Sequence, residues 1–441
     1  MGKFNEFIRL WFIYPLAEKV KGTNSMVWYR RIQEMNTWSR EEIRAWQEEQ
    51  LRRIVDQAYN HTVYWKRVFN ERGLKPCDIS TIADLKKLPI LTKDDIRSHY
   101  DEIVPDNINK FRYRKDQTGG TTGEPMRYLV DEDVWGYVTA NKIAAWQTTG
   151  YQFGDPFMAL GSASIFKKKA PFARRVLDFI RNERAYNSMN LDSELCRQYL
   201  DILRKQHIYY IYGYASAIYL LAKYAKDYRI DMSQMRGAFT TSENLTDMYR
   251  ETIERAFGCR VMDCYGSRDA AVTAYEITPR CYHIGYSAIV EVIDEFELNK
   301  GTLLATNLLN MSFPLLRYDF GDVAELDNHS KEYNGQVLHK IYGRTSDVLR
   351  LDNGHVLTSP GFTILMRSFN VKAYDIQKFS GSHVRLQVQT ADGWNKKQEM
   401  QLMIEMQRFV GEGCEFTLEY VERLEPLKNG KRRYFMNDFT V

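Results

Sequence analysis

The sequence is most informative at residues 116–125, which read Asp-Gln-Thr-Gly-Gly-Thr-Thr-Gly-Glu-Pro. The three glycines of this segment permit backbone conformations closed to other residues, and they expose backbone N–H groups that can surround an anion. The three threonines add hydroxyl donors. The Gly-Lys-Ser/Thr ending of a Walker A motif is missing, which disfavours a P-loop NTPase. The segment therefore predicts either a loop for the β- and γ-phosphates of a nucleotide or a plain turn.

The chain that surrounds this segment alternates between two kinds of pattern. From about residue 115, short β-rich runs alternate with helical ones, such as 209–211 followed by 216–228. The string Leu245-Thr-Asp predicts a helix start, and Gly258 predicts its end before the strand-like residues 260–265. This alternation predicts an α/β fold.

Local signals predict further element boundaries. Ser39-Arg-Glu-Glu42 is a capping box, and Thr92 is expected to cap another helix. Asn353-Gly354 lies inside an apolar run at 348–357 and predicts a hairpin turn.

The length and composition limit the class of protein. The chain has 441 residues, with 61 Lys and Arg against 57 Asp and Glu, so its net charge is 61 − 57 = +4. No long basic tract is present, and a nucleic-acid partner is not expected. The six cysteines have irregular spacing without a C-x-x-C pair, which indicates reduced thiols in a cytoplasmic protein. No apolar run approaches the roughly 20 residues that span a bilayer.

The domain organisation follows from the last hundred residues. Strand-like residues 383–389, helical residues 396–410 and strand-like residues 415–421 predict a small α+β domain. We predict a large N-terminal domain over residues 1–343 and a C-terminal domain of 98 residues (441 − 343) over residues 344–441.

Residues 1–38 form an N-terminal extension with an amphipathic start. Apolar side chains recur at helical spacing within residues 3–21, at Phe4, Phe7, Ile8, Trp11 and Phe12. Such a helix can lie in a membrane interface, pack on its own globular body, or contact a second subunit in a homodimer. The sequence leaves these alternatives open, and with them a peripheral location at the inner face of the membrane.

Two further strings carry groups that could meet a nucleotide. Tyr265-Gly-Ser-Arg-Asp269 follows a predicted strand, and ligands collect at the C-terminal ends of strands in open α/β sheets. Its tyrosine can stack on a base, and its carboxylate can hold Mg²⁺. Arg317-Tyr-Asp-Phe-Gly-Asp322 supplies a carboxylate suited to two ribose hydroxyls. Asp322 could equally cap a turn, and Arg344 and Lys431 could be ordinary surface cations.

The ordered set of strings resembles the core motifs of the adenylate-forming (ANL) superfamily. The segments are 118–125, 265–269, 317–322, 343–347 and 430–431. More narrowly, the strings at 88–93 (LPILTK), 212–224 (YGYASAIYLLAKY) and 240–246 (TTSENLT) look like the branch of phenylacetate-CoA ligases, coenzyme F390 synthetase-like proteins and CapK-like proteins. The resemblance covers roughly residues 40–441, and five motifs in the right order are a specific signal.

The resemblance implies an adenylate-forming enzyme fold, with a mobile C-terminal lid hinged near residues 344–347. It also implies an ATP-dependent carboxylate ligase whose cofactors are ATP, Mg²⁺ and coenzyme A. A small-molecule carboxylic acid would first become an acyl-adenylate, and a thiol would then displace AMP.

The resemblance also implies roles for individual residues. Asp269 would coordinate Mg²⁺, and Lys431 would stabilise the charge that develops between carboxylate and α-phosphate. Asp322 and Arg344 would hold the ribose, and Thr122 would take part in catalysis. The phosphate loop would comprise Thr118, Gly119, Gly120, Thr121, Thr122 and Gly123. The nucleotide would also contact Ser242, Glu243, Tyr265, Gly266 and Ser267. The acid would lie near Tyr212, Gly213, Tyr214 and Ala215.

Three positions depart from the family pattern. Asp269 stands where the superfamily usually has Glu, Gly119 where many relatives have Ser or Thr, and Ser346 at the hinge where an acidic residue or Lys is usual. The shorter Asp269 leaves metal binding through a water molecule open.

A structural zinc site, which some relatives carry, is not expected. Cys281 and His283 match half of such a site, but residues 323–343 offer only His329 and His339. An ordinary thiol and a hydrogen-bonded histidine are the favoured interpretation.

Two alternatives to a CoA ligase remain open. The acyl group could pass to an amine or hydroxyl of a sugar during surface-polysaccharide assembly, as the CapK-like resemblance suggests. The chain could also be a non-catalytic nucleotide-binding protein on the same fold. The sequence does not identify the acid, and only family analogy favours an aromatic one.

Overall fold

The helices begin and end largely where the local signals predict. The computed structural model describes residues 12–21, 23–118, 126–161, 179–188, 191–243, 245–297, 300–327, 334–344, 348–351, 356–358, 365–366, 369–378, 383–411, 413–422, 424 and 435–437. These residues form eleven α-helices: α1 (Tyr14–Lys21), α2 (Ser25–Met35), α3 (Arg40–His61), α4 (Val63–Glu71), α5 (Lys93–Ser98), α6 (Tyr100–Ile103), α7 (Glu132–Gln147), α8 (Ser193–Lys205), α9 (Ala215–Asp227), α10 (Asp247–Phe257) and α11 (Lys396–Val410).

Capping side chains explain several of these boundaries. Ser39 and Glu42 form the predicted capping box at α3, and Thr92 forms one with Asp95 at α5. Thr246 caps α10, and Gly258 ends that helix in the left-handed region with φ of 64°. A hydroxyl that accepts an otherwise unpaired N–H of the first turn stabilises the helix start, and glycine adopts positive φ without strain.

The described residues also form nineteen β-strands. They are β1 (Tyr113–Gln117), β2 (Arg127–Asp131), β3 (Phe157–Gly161), β4 (Glu183–Asn187), β5 (Tyr210–Tyr214), β6 (Gly237–Thr241), β7 (Arg260–Ser267), β8 (Val272–Thr278), β9 (Cys281–Ile284), β10 (Ala288–Glu297), β11 (Lys300–Asn307), β12 (Tyr318–Asp327), β13 (Val337–Arg344), β14 (Val348–Arg350), β15 (Val356–Thr358), β16 (Val371–Lys378), β17 (His383–Thr390), β18 (Glu415–Tyr420) and β19 (Phe435–Asn437).

One large mixed sheet organises the first three-quarters of the chain. Its strand order is β10-β11-β12-β13-β9-β8-β7-β6-β5-β3-β4. The strands β3 to β7 pair in parallel, whereas β7 to β13 pair antiparallel. The α/β prediction is confirmed, and the parallel part brings the C-terminal ends of β3, β5, β6 and β7 to one edge.

Two apolar layers cover the parallel part of this sheet. Met158, Leu160, Ile211, Ala238 and Val261 pack in a cluster with residues of α8, α9 and α10. The neighbouring strand residues pack in a second cluster with α7, and this cluster is rich in aromatic rings: Trp146, Tyr151, Phe157, Tyr210 and Phe239. Alternate strand residues point to opposite faces, so the two clusters lie on opposite sides of the sheet. Aromatic residues make up 13% of the chain, and part of this aromatic content is therefore core.

The C-terminal residues form a second sheet with its own core. The order is β18-β17-β16-β19, and α11 contributes Leu402 and Met406 to an apolar cluster with Leu386 and Val388 of β17. The predicted strand, helix and strand of this region are confirmed, and so is the hairpin, in which β14 pairs with β15. The domain division at residue 343 remains a prediction.

The N-terminal extension packs on the globular body over residues 14–35. Tyr14 is fully buried, its ring lies 4.9 Å from that of Phe153, and its hydroxyl accepts a hydrogen bond from Arg181 at 2.7 Å. The hydroxyl of Tyr29 donates to Gln147 of α7 at 2.9 Å. These contacts agree with packing on the protein's own body for this part of the segment. Residues 1–11 lie outside the described residues, and Phe12 and Leu16 are exposed.

No helix in the described part of the chain is both long and apolar enough to cross a membrane.

Candidate active site

The ends of the glycine-threonine loop are held together by two hydrogen bonds. The backbone N–H of Thr118 donates to the carbonyl of Met126 at 2.9 Å, and the N–H of Met126 donates to the Thr118 hydroxyl at 3.0 Å. The hairpin of β1 and β2 supports both ends. The loop residues between them, including the predicted Gly119, Gly120, Thr121, Thr122 and Gly123, fall outside what the structure describes.

The Tyr318 hydroxyl links Asp269 to Met126 at one end of this loop. The Asp269 carboxylate is buried and accepts two short hydrogen bonds at 2.6 Å, one from the Ser267 hydroxyl and one from the Tyr318 hydroxyl. The same Tyr318 hydroxyl lies 3.7 Å from the sulfur of Met126. Tyr318 is fully buried, and sequence reasoning singled out its motif but assigned it no role.

The donor set at Asp269 fits a magnesium ion. A carboxylate has about four lone-pair positions, and the two hydroxyls occupy one on each oxygen. Mg²⁺ usually takes one or two carboxylates and completes its shell with water and phosphate oxygens. Among the described residues no group of three or more His, Cys, Asp or Glu side chains could hold a metal, so Asp269 would be the single protein carboxylate on the ion.

Tyr265 and Asp322 form the next contact along the same edge. The Tyr265 hydroxyl donates to the Asp322 carboxylate at 2.5 Å, and Asp322 is only 6% exposed. In the antiparallel pair of β12 and β13, the backbone of Asp322 lies opposite that of Arg344. The side chain of Arg344 lies outside the described part of the structure. The predicted ribose carboxylate and the predicted base-stacking tyrosine are thus neighbours. Gly266 and Ser267 continue β7 between Tyr265 and Asp269.

The predicted acid-binding residues lie where β5 runs into α9. A Cβ atom on Gly213 would lie 2.3 Å from the carbonyl oxygen of Leu160 in β3, so glycine is required for the approach of these strands. Tyr214 and Ala215 follow at the junction with α9. The ring of Tyr212 lies 5.2 Å from that of Trp146, and burial raises the pKa of Tyr212.

Ser242 and Glu243 connect the neighbouring strand end to the same junction. Glu243 accepts a hydrogen bond from the backbone N–H of Ser216 at 2.8 Å, in the first turn of α9. A carboxylate at this position is favoured by the helix dipole. Ser242 has φ of 65°, a conformation that costs a non-glycine residue energy and that often marks a functional loop.

The string 88–93 has a structural role that its position in the sequence does not reveal. Leu91 pairs with Tyr318 in a parallel bridge, and the Lys93 ammonium donates to the carbonyl of Phe320 at 3.0 Å. Arg317 donates to both oxygens of Glu291 at 3.1 Å and to the carbonyl of Leu88 at 2.6 Å. These contacts fix the start of β12, which carries Tyr318 and Asp322.

A buried polar network contacts Asp263 of β7. No motif in the sequence indicated this network. Asp263 accepts hydrogen bonds from the hydroxyls of Thr240 at 2.6 Å and Tyr282 at 2.8 Å. Arg250 donates to both oxygens of Glu276 at 2.6 and 2.7 Å, and Glu276 accepts the backbone N–H of Asp263 at 3.2 Å. Burial raises the pKa of Asp263 to about 6. Only the tertiary structure brings these groups together.

Aromatic rings surround His283, one of the two residues that match half of a zinc site. His283 is buried with its ring 5.5 Å from Tyr275 and 5.0 Å from Tyr286, and burial lowers its pKa to about 4. His339 lies 3.3 Å from Asp327, and His329 is outside the described residues. The favoured interpretation of His283 as a hydrogen-bonded histidine stays a prediction.

Contacts through Met126 and Tyr318 thus link Thr118 to Asp269, and a separate hydrogen bond joins Tyr265 to Asp322. Lys431 and Ser346 lie outside the described residues, so their roles stay predictions.

Comparisons with known proteins identify relatives along most of the chain. No protein-family model matches. Protein CapK of Staphylococcus aureus is 26% identical over 400 residues, which cover 87% of this chain and 87% of that protein. The phenylacetate-coenzyme A ligase of Escherichia coli K12 is 24% identical over 364 residues, which cover 76% of this chain and 78% of the relative.

A solved structure shows the same fold over nearly the full length. The 2-hydroxyisobutyryl-CoA ligase, in the postadenylation state with 2-HIB-AMP, superposes with a TM-score of 0.67 at 17% identity. The superposition covers 92% of this chain and 91% of that one. Over most of its length the chain is therefore similar to CapK and to the phenylacetate-coenzyme A ligases, and it shares the fold of an adenylate-forming CoA ligase.

Proposed function

We propose that this protein activates a carboxylic acid with ATP and then transfers the acyl group to coenzyme A. The observation that carries the proposal is a series of contacts that links one end of the glycine-threonine loop to Asp269, together with a separate Tyr265–Asp322 hydrogen bond. Thr118 holds Met126, Met126 contacts Tyr318, and Tyr318 donates to Asp269. Separately, Tyr265 of β7 donates to Asp322 of β12. A phosphate loop, a metal carboxylate and a ribose carboxylate at this spacing suit an extended nucleotide.

The first step would join two anions, so charge must be neutralised and the groups held in line. A carboxylate oxygen of the acid attacks the α-phosphorus, and the bond from that phosphorus to the bridging oxygen breaks, so that pyrophosphate leaves with the electron pair. The loop amides and Thr118 would hold the phosphates, and Asp322 would hold the ribose hydroxyls. Bound at Asp269, Mg²⁺ would neutralise phosphate charge. Lys431 would stabilise the charge on the reacting oxygens.

In the second step the thiol sulfur of coenzyme A attacks the acyl carbonyl. The bond between the carbonyl carbon and the AMP oxygen breaks, the thiol loses its proton, and AMP leaves. The C-terminal residues 344–441 would act as a lid that first presents Lys431 and then turns to admit the thiol, a gating motion.

Exchange of labelled pyrophosphate into ATP tests the first step. Purified protein with ATP and Mg²⁺ should catalyse exchange when the right acid is supplied. Folded protein that binds ATP but shows no exchange across a broad panel of acids would instead favour a nucleotide-binding protein without catalysis.

A lysine variant tests the assigned charge stabilisation. Lys431→Ala should lower exchange by about 10²-fold or more while ATP affinity, measured by calorimetry, changes little. Lys428→Ala, in the same segment of sequence, is the matched control and should retain exchange. Substantial activity in Lys431→Ala would refute the role given to Lys431.

A different acceptor is the second candidate function, and the long match to CapK favours it. CapK covers 87% of this chain, against 76% for the phenylacetate-coenzyme A ligase of E. coli. In this alternative the acyl-adenylate would react with an amine or hydroxyl of a sugar. Pyrophosphate exchange that proceeds normally, followed by acyl transfer to an aminosugar without coenzyme A, would support this candidate over the first.

A further inference from the structure

Hydroxyl groups from two strands hold the two oxygens of the Asp269 carboxylate. The Ser267 hydroxyl of β7 donates to Oδ1 at 2.6 Å, and the Tyr318 hydroxyl of β12 donates to Oδ2 at 2.6 Å. All three side chains are buried. The torsion that turns a carboxylate about its Cβ–Cγ bond is broad when nothing restrains it. One hydrogen bond on each oxygen therefore fixes the plane of this carboxylate.

The Tyr318 hydroxyl is held in place by its strand. Tyr318 pairs with Ala305 of β11 on one edge, and on the other edge it forms the parallel bridge with Leu91. The Leu91 N–H donates to the carbonyl of Arg317 at 3.1 Å, and the Asp319 N–H donates to the carbonyl of Leu91 at 2.9 Å. The Tyr318 ring is fully buried as well. A backbone that is bonded on both edges and a buried ring make the hydroxyl a fixed point of the sheet.

The same hydroxyl lies next to the end of the glycine-threonine loop. Its oxygen is 3.7 Å from the sulfur of Met126, and the backbone of Met126 makes both hydrogen bonds to Thr118 that hold the loop ends together. Tyr318 thus gives Asp269 a defined position relative to the predicted phosphate loop. Ser267 is only two residues from Asp269, so its bond fixes the carboxylate relative to its own turn.

Hydroxyl donors suit a carboxylate that has a metal ion to bind. Tyrosine and serine hydroxyls are neutral, so they orient the carboxylate without neutralising its charge. Each hydroxyl uses one lone pair of its oxygen, and each oxygen retains another for the ion. Removal of a group that bonds to a metal ligand in this way lowers metal affinity by about 10–100-fold.

We propose that Tyr318 is a positioning residue that aims the Asp269 carboxylate at the Mg²⁺ of the bound nucleotide. The proposal rests on the proposed function and deepens it, because it adds a residue on which the affinity for the metal depends. In this role Tyr318 acts through Asp269 and has no contact with the ion. Ser267 supports the second oxygen and contributes less, because it does not tie Asp269 to a distant strand.

The affinity of the nucleotide complex for a metal ion tests the proposal without any turnover. Protein is kept in excess over α,β-methylene-ATP, Mn²⁺ is titrated in, and free Mn²⁺ is measured by electron paramagnetic resonance. Tyr318→Phe keeps the ring and removes only the hydroxyl, and it should weaken Mn²⁺ binding by about 10–100-fold. Ser267→Ala should weaken it less. In pyrophosphate exchange, the Mg²⁺ concentration that gives half of the maximal rate should rise by the same factor as the dissociation constant of Mn²⁺.

Tyr282→Phe is the matched control, because it also deletes a hydrogen bond from a buried tyrosine to a buried aspartate. The Tyr282 hydroxyl donates to Asp263 at 2.8 Å. This variant should lose a similar amount of stability and keep the wild-type affinity for Mn²⁺. In a background of Asp269→Asn no carboxylate is left to aim, so Tyr318→Phe should there have little further effect on Mn²⁺ binding.

The outcomes separate this inference from the proposed function. Unchanged Mn²⁺ affinity in Tyr318→Phe, or equal losses in Tyr318→Phe and Tyr282→Phe, would overturn the inference and leave the proposed function standing. If Tyr318→Phe does not fold, wild-type Mn²⁺ affinity in Ser267→Ala would overturn it. A wild-type protein that neither binds α,β-methylene-ATP nor catalyses exchange with any acid would overturn the proposed function, and the inference with it.

Discussion

The closest approach of two strands at the site gives a sharp prediction for Gly213. A Cβ atom built on Gly213 lies 2.3 Å from the Leu160 carbonyl oxygen and 2.8 Å from the Leu160 Cβ. Ordinary contacts of a Cβ atom begin near 3.4 Å, so Gly213→Ala requires β5 and β3 to separate by about 3.4 − 2.3 = 1.1 Å. The obstructing atom belongs to the backbone of β3, which is paired on both sides by β5 and β4, and it cannot rotate away.

The cost of this change has two parts. Overpacking in a well-packed core destabilises a protein by about 1–3 kcal/mol. A displacement of about 1 Å at a catalytic site lowers the rate by about 10²-fold. Gly213→Ala should therefore lower the midpoint of thermal unfolding by a few degrees, measured by circular dichroism. Pyrophosphate exchange should fall by about 10²-fold even at temperatures at which the variant is folded.

Gly237→Ala provides the matched control in the neighbouring parallel strand. Its Cβ would lie 3.1 Å from Cδ1 of Tyr210, a side-chain atom that can shift by a few tenths of an ångström. We expect a change below about 1 kcal/mol and nearly unchanged exchange. A Gly213→Ala variant that unfolds and reacts like wild type would refute the argument from strand approach, and so would equal losses in the two variants.

Three further variants test the polar contacts. Arg250→Met removes the partner of the buried Glu276 and should lower the free energy of unfolding in urea by about 3–5 kcal/mol. The double variant Arg250→Met/Glu276→Leu should recover much of that loss. A loss below about 1 kcal/mol in Arg250→Met would contradict this expectation. The folded-state pKa of His283 is lowered to about 4, so between about pH 6.5 and pH 4 the unfolded chain binds a proton that the folded protein refuses. Stability should fall by up to about 3 kcal/mol as the pH drops through this window, and His283→Gln should remove that part of the acid sensitivity in unfolding measured at each pH. Tyr265→Phe deletes the hydrogen bond to Asp322 and should raise KM for ATP about tenfold with little change in kcat, and an unchanged KM would show that this bond does not prepare the ribose site.

Local signals predicted much of the secondary structure because the interactions behind them join residues that are close in sequence. The capping box at Ser39 and Glu42, the cap at Thr92 and the glycine at residue 258 each act within a turn of the helix that they begin or end. The predicted hairpin is confirmed in the pairing of β14 with β15 and was likewise signalled by a local Asn-Gly pair in the sequence. Such hydrogen bonds and backbone preferences involve neighbours in sequence, so a reader of the sequence can find them.

Partners across the site could not be found in this way. Tyr318 and Asp269 are separated by 49 residues, and Tyr265 and Asp322 by 57. Lys142 reaches Tyr212 only because α7 packs on the sheet face that carries this ring. No periodicity or motif in the sequence specifies which of several buried tyrosines will meet a given carboxylate.

The sequence by itself determined the order of the motifs, the boundaries of most elements and the nearly neutral net charge. A nearly neutral chain can still bind phosphates, because a phosphate loop and single cations at the site suffice. The tertiary structure alone decided which groups meet. Parallel pairing of β3, β5, β6 and β7 aligns their C-terminal ends, and the antiparallel strands that follow bring β12 back to the same edge. A carboxylate becomes a binding group only when burial and hydroxyl donors from distant strands fix its position, and those conditions exist only after the chain has folded.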